Sequence, residues 1–237
     1  MLVAYPAEAR ADPAFDPRRL GAAAFVLSLR ERGVFAVNVL RAMETVPREH
    51  FAPRRYADLS REDIALPLPC GQTMCSPATV AAMLAALDMT PGQRVLEIGT
   101  GSGYVAALLA RMGADVHSIE RLPTLAESAA GRLALTGLDS AVRVETGDGL
   151  AGPEPDIRFD RILLNGAVPS LRPALLSRLA AGGRLVGGLL AEGRTRLLTI
   201  DRDATGRLSR SVGAAIRLPP LVEGAPLTRE GRRSTES

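Results

Sequence analysis

Short apolar runs alternate with segments of helical spacing over most of the chain. The apolar runs are typical of strands, since each is short and ends at glycine or at a polar residue. Strands are predicted at residues 95–98, 114–119, 142–146, 159–164, 184–190, 195–201 and 208–218, and helices at 77–87, 104–112, 123–135 and 173–180. This alternation predicts an α/β fold, with a doubly wound, mostly parallel sheet and helices on both faces. The last two strands are joined too briefly for a crossover and should be antiparallel.

The residues before this alternation have a different pattern, in which prolines interrupt short helical segments. Helices are predicted at 18–32 and 36–45, and prolines keep residues 61–69 extended because proline cannot continue a helix. A polar loop, Gly71–Pro77, here called the covering loop, then leads into the first helix of the alternating part. Residues 1–17 are rich in proline, alanine and charge, which favours a poorly ordered lead-in. We predict a helical N-terminal arm with a covering loop at 1–76, an α/β domain at 77–226 and a loose tail at 227–237.

One stretch, residues 94–120, carries the chain's clearest motif. A strand ends in the glycine turn Gly99–Gly103, a helix follows, and the next strand ends at Glu120. Glycines let the backbone turn sharply and approach a ligand closely, and the helix start offers unpaired N–H groups. Glu120 lies 17 residues after Gly103 (120 − 103), close to the offset of about 20 residues expected of an acid that binds ribose hydroxyls. The stretch predicts a Rossmann-like nucleotide site.

The spacing of the turn favours one nucleotide over another. A dinucleotide fingerprint needs a third glycine where this chain has Tyr104. Glu97, two residues before Gly99, suits a cationic ligand better than a pyrophosphate. S-adenosylmethionine is therefore favoured over NAD. The alternative is a tight turn that has only a structural role and binds no ligand.

Two further strand ends carry polar residues that could face the same ligand. The strand at 142–146 is followed by Asp148, and the strand at 159–164 by Asn165. Because ligands of such sheets bind at the carboxyl ends of the strands, these side chains should meet the glycine turn. Asp148 could accept a hydrogen bond from an adenine amino group, or it could only stop the strand as an Asx turn.

Composition excludes several function classes. The net charge is only +3, every basic residue is arginine, and no basic stripe is interleaved with aromatics, so nucleic acid is not implied. Two cysteines, Cys70 and Cys75, are too few for a zinc site, and no metal is predicted. No apolar run is long enough to span a membrane, and the first residues lack the pattern of a signal peptide. We expect a cytoplasmic protein that binds no membrane.

The motifs together resemble the protein-L-isoaspartate (D-aspartate) O-methyltransferase family. The likeness runs from about Arg41 to Leu221. It is carried by residues 41–51 (RAMETVPREHF), Leu66–Leu68, Gly71–Thr73, residues 95–104 (VLEIGTGSGY), Gly147–Gly149 and Pro173–Leu176. The glycine turn alone indicates only a methyltransferase, whereas the Gly71–Thr73 loop and the Pro47-Arg48 arm are specific to this family.

The resemblance implies methylation, with S-adenosyl-L-methionine, of the free α-carboxylate of L-isoaspartyl residues in damaged proteins and peptides. Loss of the ester then re-forms a succinimide, so the reaction serves protein repair. The implied catalytic residues are Thr73, Cys75 and Ser76. The implied cofactor-binding residues are Gln72, Thr73, Glu97, Gly99, Thr100, Gly101, Gly103, Tyr104, Glu120, Arg121, Asp148, Gly149 and Asn165. The acceptor peptide should bind extended near Leu218–Leu221 and the loop after Leu164, and a monomer is expected.

The chain departs from the family pattern on the acceptor side. Cys75 stands where the family has a serine, with Ser76 one place later, and Asn165-Gly166-Ala167 stands where small residues are expected. A thiol donates a weaker hydrogen bond than a hydroxyl, and Cys75 could instead be only a small buried residue before the next helix. Two alternatives therefore stay open: a diverged carboxyl methyltransferase with another peptide acceptor, and a module that binds the cofactor without turnover.

Overall fold

The computed structural model describes residues 17–151 and 157–224, with side chains from residue 20 onward. The lead-in and the tail predicted at the two ends of the chain lie almost wholly outside these residues. The helices are α1 (Pro17–Glu31), α2 (Val37–Thr45), α3 (Pro77–Leu87), α4 (Tyr104–Arg111), α5 (Pro123–Leu135) and α6 (Pro173–Leu176). The strands are β1 (Leu66–Pro67), β2 (Thr73–Met74), β3 (Arg94–Ile98), β4 (Asp115–Glu120), β5 (Val142–Thr146), β6 (Phe159–Val168), β7 (Leu179–Ala191), β8 (Arg194–Arg202) and β9 (Leu208–Ala215). Short 3₁₀ turns lie at Arg48–His50, Arg54–Leu59, Pro69–Gly71 and Gly149–Ala151.

The main sheet has seven strands in the order β5-β4-β3-β6-β7-β8-β9. Strands β3 to β7 pair in parallel, which confirms the predicted doubly wound sheet. The antiparallel pairing predicted for β8 and β9 is confirmed, and β7 also pairs antiparallel with β8. Only Glu192 and Gly193 separate β7 from β8, too few residues for a crossover.

Hydrophobic side chains pack on both faces of the sheet. Neighbouring residues of β3 point to opposite faces, so Val95 joins one buried cluster and Leu96 the other. The first cluster contains side chains of α1 to α4, including Phe25, Met43 and Leu84. The arm thus packs into the same core as the helices of the α/β part, and the predicted division at residue 76 stays a prediction.

Several predicted boundaries were correct and others were wrong. The bounds of α3, α5 and β5 match the prediction. Strand β6 continues past Leu164 to Val168, because Ala167 finds backbone partners in the C-terminal segment. The helix predicted to reach residue 180 ends at Leu176, since Leu179 is fully buried and pairs with Phe159 in the sheet.

Two more extended stretches are shorter than predicted. Of residues 61–69, only Leu66–Pro67 forms a strand, paired with Thr73–Met74. The last strand ends at Ala215 rather than at Leu218. No helix within the described ranges is long and apolar enough to cross a membrane.

Candidate active site

A cleft opens at the carboxyl ends of β3, β4, β5 and β6, where the sequence predicts the ligand to bind. Its wall combines residues of the covering loop in the arm with residues that follow the strands. The predicted residues that line it are Gln72, Thr73, Cys75, Gly99, Gly101, Tyr104, Glu120, Arg121, Asp148, Gly149 and Asn165. Folding therefore brings the two halves of the predicted site together in one place.

The glycine turn adopts backbone conformations that favour glycine. Gly99, Gly101 and Gly103 have φ angles of +92°, +56° and +87°, in the region where a side chain would strain the backbone. Gly103 lies behind the cleft wall, where a Cβ would come within 3.2 Å of the Cβ of Ala129. Gly103 therefore lets α4 start close to α5 and does not itself line the cleft.

Glu120 links the end of β4 to the glycine turn. One carboxylate oxygen accepts the N–H of Gly101 at 2.8 Å and the other accepts the N–H of Leu122 at 2.9 Å. Each carboxylate oxygen has two lone pairs, so both retain capacity for a donor on a ligand. This acid, held rigidly at the cleft, fits the two hydroxyls of a ribose.

Glu97 is placed under the turn and does not face the cleft. It is fully buried and accepts the Ser118 hydroxyl at 2.5 Å, while the Thr100 hydroxyl lies 2.6 Å from that of Ser118. Burial raises the pKa of Glu97 to about 8, despite the hydrogen bond from Ser118. Glu97 and Thr100 thus form a buried polar support for the turn, and a ligand would meet the turn itself.

Asp148 uses both carboxylate oxygens within the protein. One accepts the N–H of Leu150 at 3.0 Å, which is the local turn that the sequence left open, and the other accepts the N–H of Gly224 at 2.7 Å. Gly149 packs against β3, because a Cβ there would lie 2.7 Å from the side chain of Ile98. Asp148 still lines the cleft, so the turn and a ligand contact are compatible.

Cys75 and Asn165 lie together in the cleft wall, on the side where the sequence predicts the acceptor. The side-chain amide of Asn165 donates to the carbonyl oxygen of Gly99 at 3.0 Å, and its carbonyl oxygen faces the Cys75 sulfur at 3.9 Å. Burial raises the pKa of the Cys75 thiol to about 11. The thiol therefore stays protonated near neutral pH and is a weak hydrogen-bond donor, not a nucleophile. Ser76 does not line this cleft, and its hydroxyl lies 3.2 Å from that of Thr79.

Arg48 is a buried residue that holds the covering loop through hydrogen bonds. It is 1% exposed, and its guanidinium donates to the carbonyl oxygens of Ser60 and Cys75, the latter at 2.9 Å. It also lies 5.8 Å from the ring centroid of Tyr104, at the start of α4. Burial lowers the pKa of Arg48, and its acceptors within the described residues are backbone carbonyls. Arg48 thereby joins the arm, the covering loop and the helix after the glycine turn.

Residues 219–224, here called the C-terminal strap, close one side of the cleft. The N–H of Ala167 donates to the carbonyl oxygen of Pro219, and the N–H of Leu221 donates to that of Ala167, both at 2.8 Å. The backbone of β6 at Ala167 is therefore paired with the chain itself, at a place where the sequence predicted a loop that binds the acceptor. This pairing joins positions far apart in the chain, and no local sequence signal marks it.

The apolar part of the cleft was not predicted from the sequence. Ile119, Leu122 and Leu150 line it beside the predicted acids. Their positions in the sequence could have indicated them, since each directly adjoins a predicted site residue. Within the described residues, no group of three or more histidine, cysteine, aspartate or glutamate side chains could hold a metal ion.

The model of one protein family matches residues 21–225, which is nearly the whole described chain. The family is described as protein-L-isoaspartate(D-aspartate) O-methyltransferase (PCMT). The chain belongs to this family. Membership confirms the methyltransferase predicted from the sequence, its dependence on S-adenosylmethionine and its fold class.

The chain is similar in sequence to known proteins over most of its own length and of theirs. Protein-L-isoaspartate O-methyltransferase 2 of Rhodopseudomonas palustris (strain HaA2) is 43% identical over 201 residues, 84% of this chain and 92% of the relative. Protein-L-isoaspartate O-methyltransferase of Xanthobacter autotrophicus is 42% identical over 206 residues, 86% of this chain and 93% of the relative. These relatives are similar on both sides of the cleft, since the aligned lengths exceed the α/β part alone.

Solved structures support the fold. A structure of a protein-L-isoaspartate O-methyltransferase superposes with a TM-score of 0.73 at 24% identity, covering 84% of this chain and 65% of that one. A putative protein-L-isoaspartate O-methyltransferase from Plasmodium falciparum, in complex with S-adenosyl-L-homocysteine, gives 0.74 at 18% identity, covering 85% and 98%. At these identities the likeness concerns the fold.

Proposed function

We propose that the protein transfers a methyl group from S-adenosyl-L-methionine to the free α-carboxylate of L-isoaspartyl residues in damaged proteins and peptides. The observation that carries this proposal is the single cleft in which Asn165 joins the glycine turn to the covering loop. Its amide holds the Gly99 carbonyl oxygen and its oxygen faces the Cys75 thiol. A nucleotide half and an acceptor half thus share one wall.

The cofactor half fits the chemistry of an adenosine. Glu120 would accept hydrogen bonds from the ribose hydroxyls, and Asp148 from the adenine amino group. Leu122 and Leu150 would enclose the base, since they line the same cleft as these two acids. When bound, the cofactor supplies a methyl group attached to a sulfonium sulfur. The sulfur is the activated leaving group.

The acceptor chemistry demands little acid–base work from the protein. A carboxylate is ionised at pH 7 and is its own nucleophile, so no general base is required. What the chain must supply is alignment, which can lower a barrier by about 7–11 kcal/mol when two reactants are held in register. Cys75 can donate only a weak hydrogen bond to the acceptor, and Gln72 and Thr73 lie on the same wall.

The test uses radiolabelled S-adenosylmethionine and two peptides of identical sequence, one with isoaspartate and one with aspartate. We expect base-labile label on the isoaspartyl peptide alone. No label on either peptide, with a thermal shift on adding the cofactor, would instead indicate a binding module or a different acceptor.

Two matched variants test the cofactor half. Glu120→Gln removes a charged acceptor at the cleft and also one of the two oxygens that accept the N–H groups of Gly101 and Leu122. It should therefore weaken cofactor binding by at least about tenfold, the loss expected for one hydrogen bond to a charged group. Glu127→Gln changes an exposed acid on α5 that lies outside the cleft, and it should bind the cofactor as the parent chain does. Isothermal titration with S-adenosylhomocysteine measures both.

A further inference from the structure

A groove leads away from the active-site cleft along the outer side of the covering loop. It consists of two adjoining cavities of about 380 and 600 Å³, each of the size that binding sites for organic ligands have. The first cavity shares Thr73, Cys75 and Pro219 with the wall of the cleft. The second shares Ala65, Ile216 and Arg217 with the first. We call these two cavities the outer groove.

The walls of the outer groove suit a polypeptide of varied sequence. Small side chains form much of the second cavity, among them Ala65, Ala82 and Ala215, together with the Ser76–Thr79 hydroxyl pair. Ile216 is tied to the sheet by its N–H, which donates to the carbonyl oxygen of Thr195 at 3.0 Å. The next residue, Arg217, has no backbone hydrogen bond to any described residue. A segment of acceptor that leaves the cleft would therefore meet small side chains and free backbone groups.

Two charged residues line the outer groove, Asp63 and Arg217. Asp63 is already compensated, because it accepts the N–H of Ala78 at 2.8 Å and lies 3.5 Å from the guanidinium of Arg32. Arg217 is exposed and makes no ion pair with any described residue. The groove therefore presents one uncompensated positive charge, shared by both of its cavities.

We propose that Arg217 determines substrate specificity, by favouring isoaspartyl acceptors that carry an acidic residue a few positions from the isoaspartate. The proposal rests on the proposed function, since it assumes that the cleft holds the isoaspartyl carboxylate. Arg217 precedes Pro219 of the cleft wall by two residues, and two residues of extended chain span at most about 7 Å. An acceptor side chain within about four residues of the isoaspartate can reach this guanidinium.

The experiment compares isoaspartyl peptides that differ at one position only. Glutamate, glutamine or lysine is placed at each of the four positions on either side of the isoaspartate, and kcat/KM is measured with saturating S-adenosylmethionine. On one side we expect glutamate to exceed lysine by about two- to fivefold, the range that a partly exposed ion pair supports. The preference should shrink as salt is raised from low to physiological concentration.

Three variants assign the preference to Arg217. Arg217→Gln should abolish it and Arg217→Glu should reverse it. Arg210→Gln is the matched control, because Arg210 is also exposed, on β9, but lines neither cavity, and it should keep the preference.

Equal rates for glutamate and lysine peptides at every position, or a preference that survives in Arg217→Gln, would overturn the proposal. Methylation of the glutamine peptide in the same assay separates this failure from a failure of the proposed function. If no isoaspartyl peptide is methylated at all, both proposals are wrong.

Discussion

Replacing Arg48 with methionine should destabilise the protein and weaken its hold on the acceptor peptide. Methionine fills a similar volume but leaves the carbonyl oxygens of Ser60 and Cys75 without their donor in the interior. A buried group that loses its partner costs about 1–3 kcal/mol, so the two carbonyls together cost about 2–6 kcal/mol. Part of this is offset, because the variant no longer buries a guanidinium whose Nε has no partner. We expect a net loss of about 3 kcal/mol.

Urea unfolding and thermal melts measure this loss directly. For a chain of this size 1 kcal/mol corresponds to about 2–4 °C in Tm, so Tm should fall by about 6–12 °C. In kinetics the KM for the isoaspartyl peptide should rise more than the cofactor Kd, because the Cys75 carbonyl belongs to the covering loop while Glu120 is anchored on β4.

The control is Arg41→Met, since Arg41 is exposed on α2 and has no side-chain partner among the described residues. It should change stability by less than about 0.5 kcal/mol, as surface substitutions do. A loss in Arg48→Met no larger than in Arg41→Met would refute the argument that the buried guanidinium holds the covering loop.

Three other changes test separate parts of the structure. Glu97 keeps its proton in the folded protein up to about pH 8 but releases it above about pH 4.5 when unfolded, so stability falls as pH rises between these values by up to about 1.4 kcal/mol per unit. Glu97→Gln should flatten that slope in urea titrations, and an unchanged slope would contradict the burial argument. Gly166→Ala puts a Cβ 2.6 Å from Leu221, so it should displace the strap, raise the cofactor Kd and cost about 1–3 kcal/mol. Its control, Gly131→Ala, fills open space at an exposed position of α5 and should raise stability by about 0.5–1 kcal/mol. Cys75→Ser should raise kcat/KM for the isoaspartyl peptide about threefold, because a hydroxyl donates a stronger hydrogen bond than a thiol; a fall would show that the thiol serves packing.

The sequence alone determined the parts that depend on neighbouring residues. Helix α5 starts at Pro123 and ends before Gly137, and β5 alternates polar and apolar residues, so local patterns fix both boundaries. The glycine turn and Glu120 were recognisable for the same reason. The strand, the turn, the helix and the acid all follow one another within a single strand–helix–strand unit.

Tertiary structure alone decided which of the predicted residues face the cleft. Cys75 lies beside Asn165, 90 positions later in the chain, whereas the adjacent Ser76 turns to Thr79 and the outer groove. Arg48 carries no local sign that it will be buried, since its acceptors are carbonyl oxygens 12, 16 and 27 residues away. The strap closes on Ala167 through backbone hydrogen bonds, which depend on no particular side chain. Such contacts form only when distant segments meet, so no pattern of neighbouring residues could have predicted them.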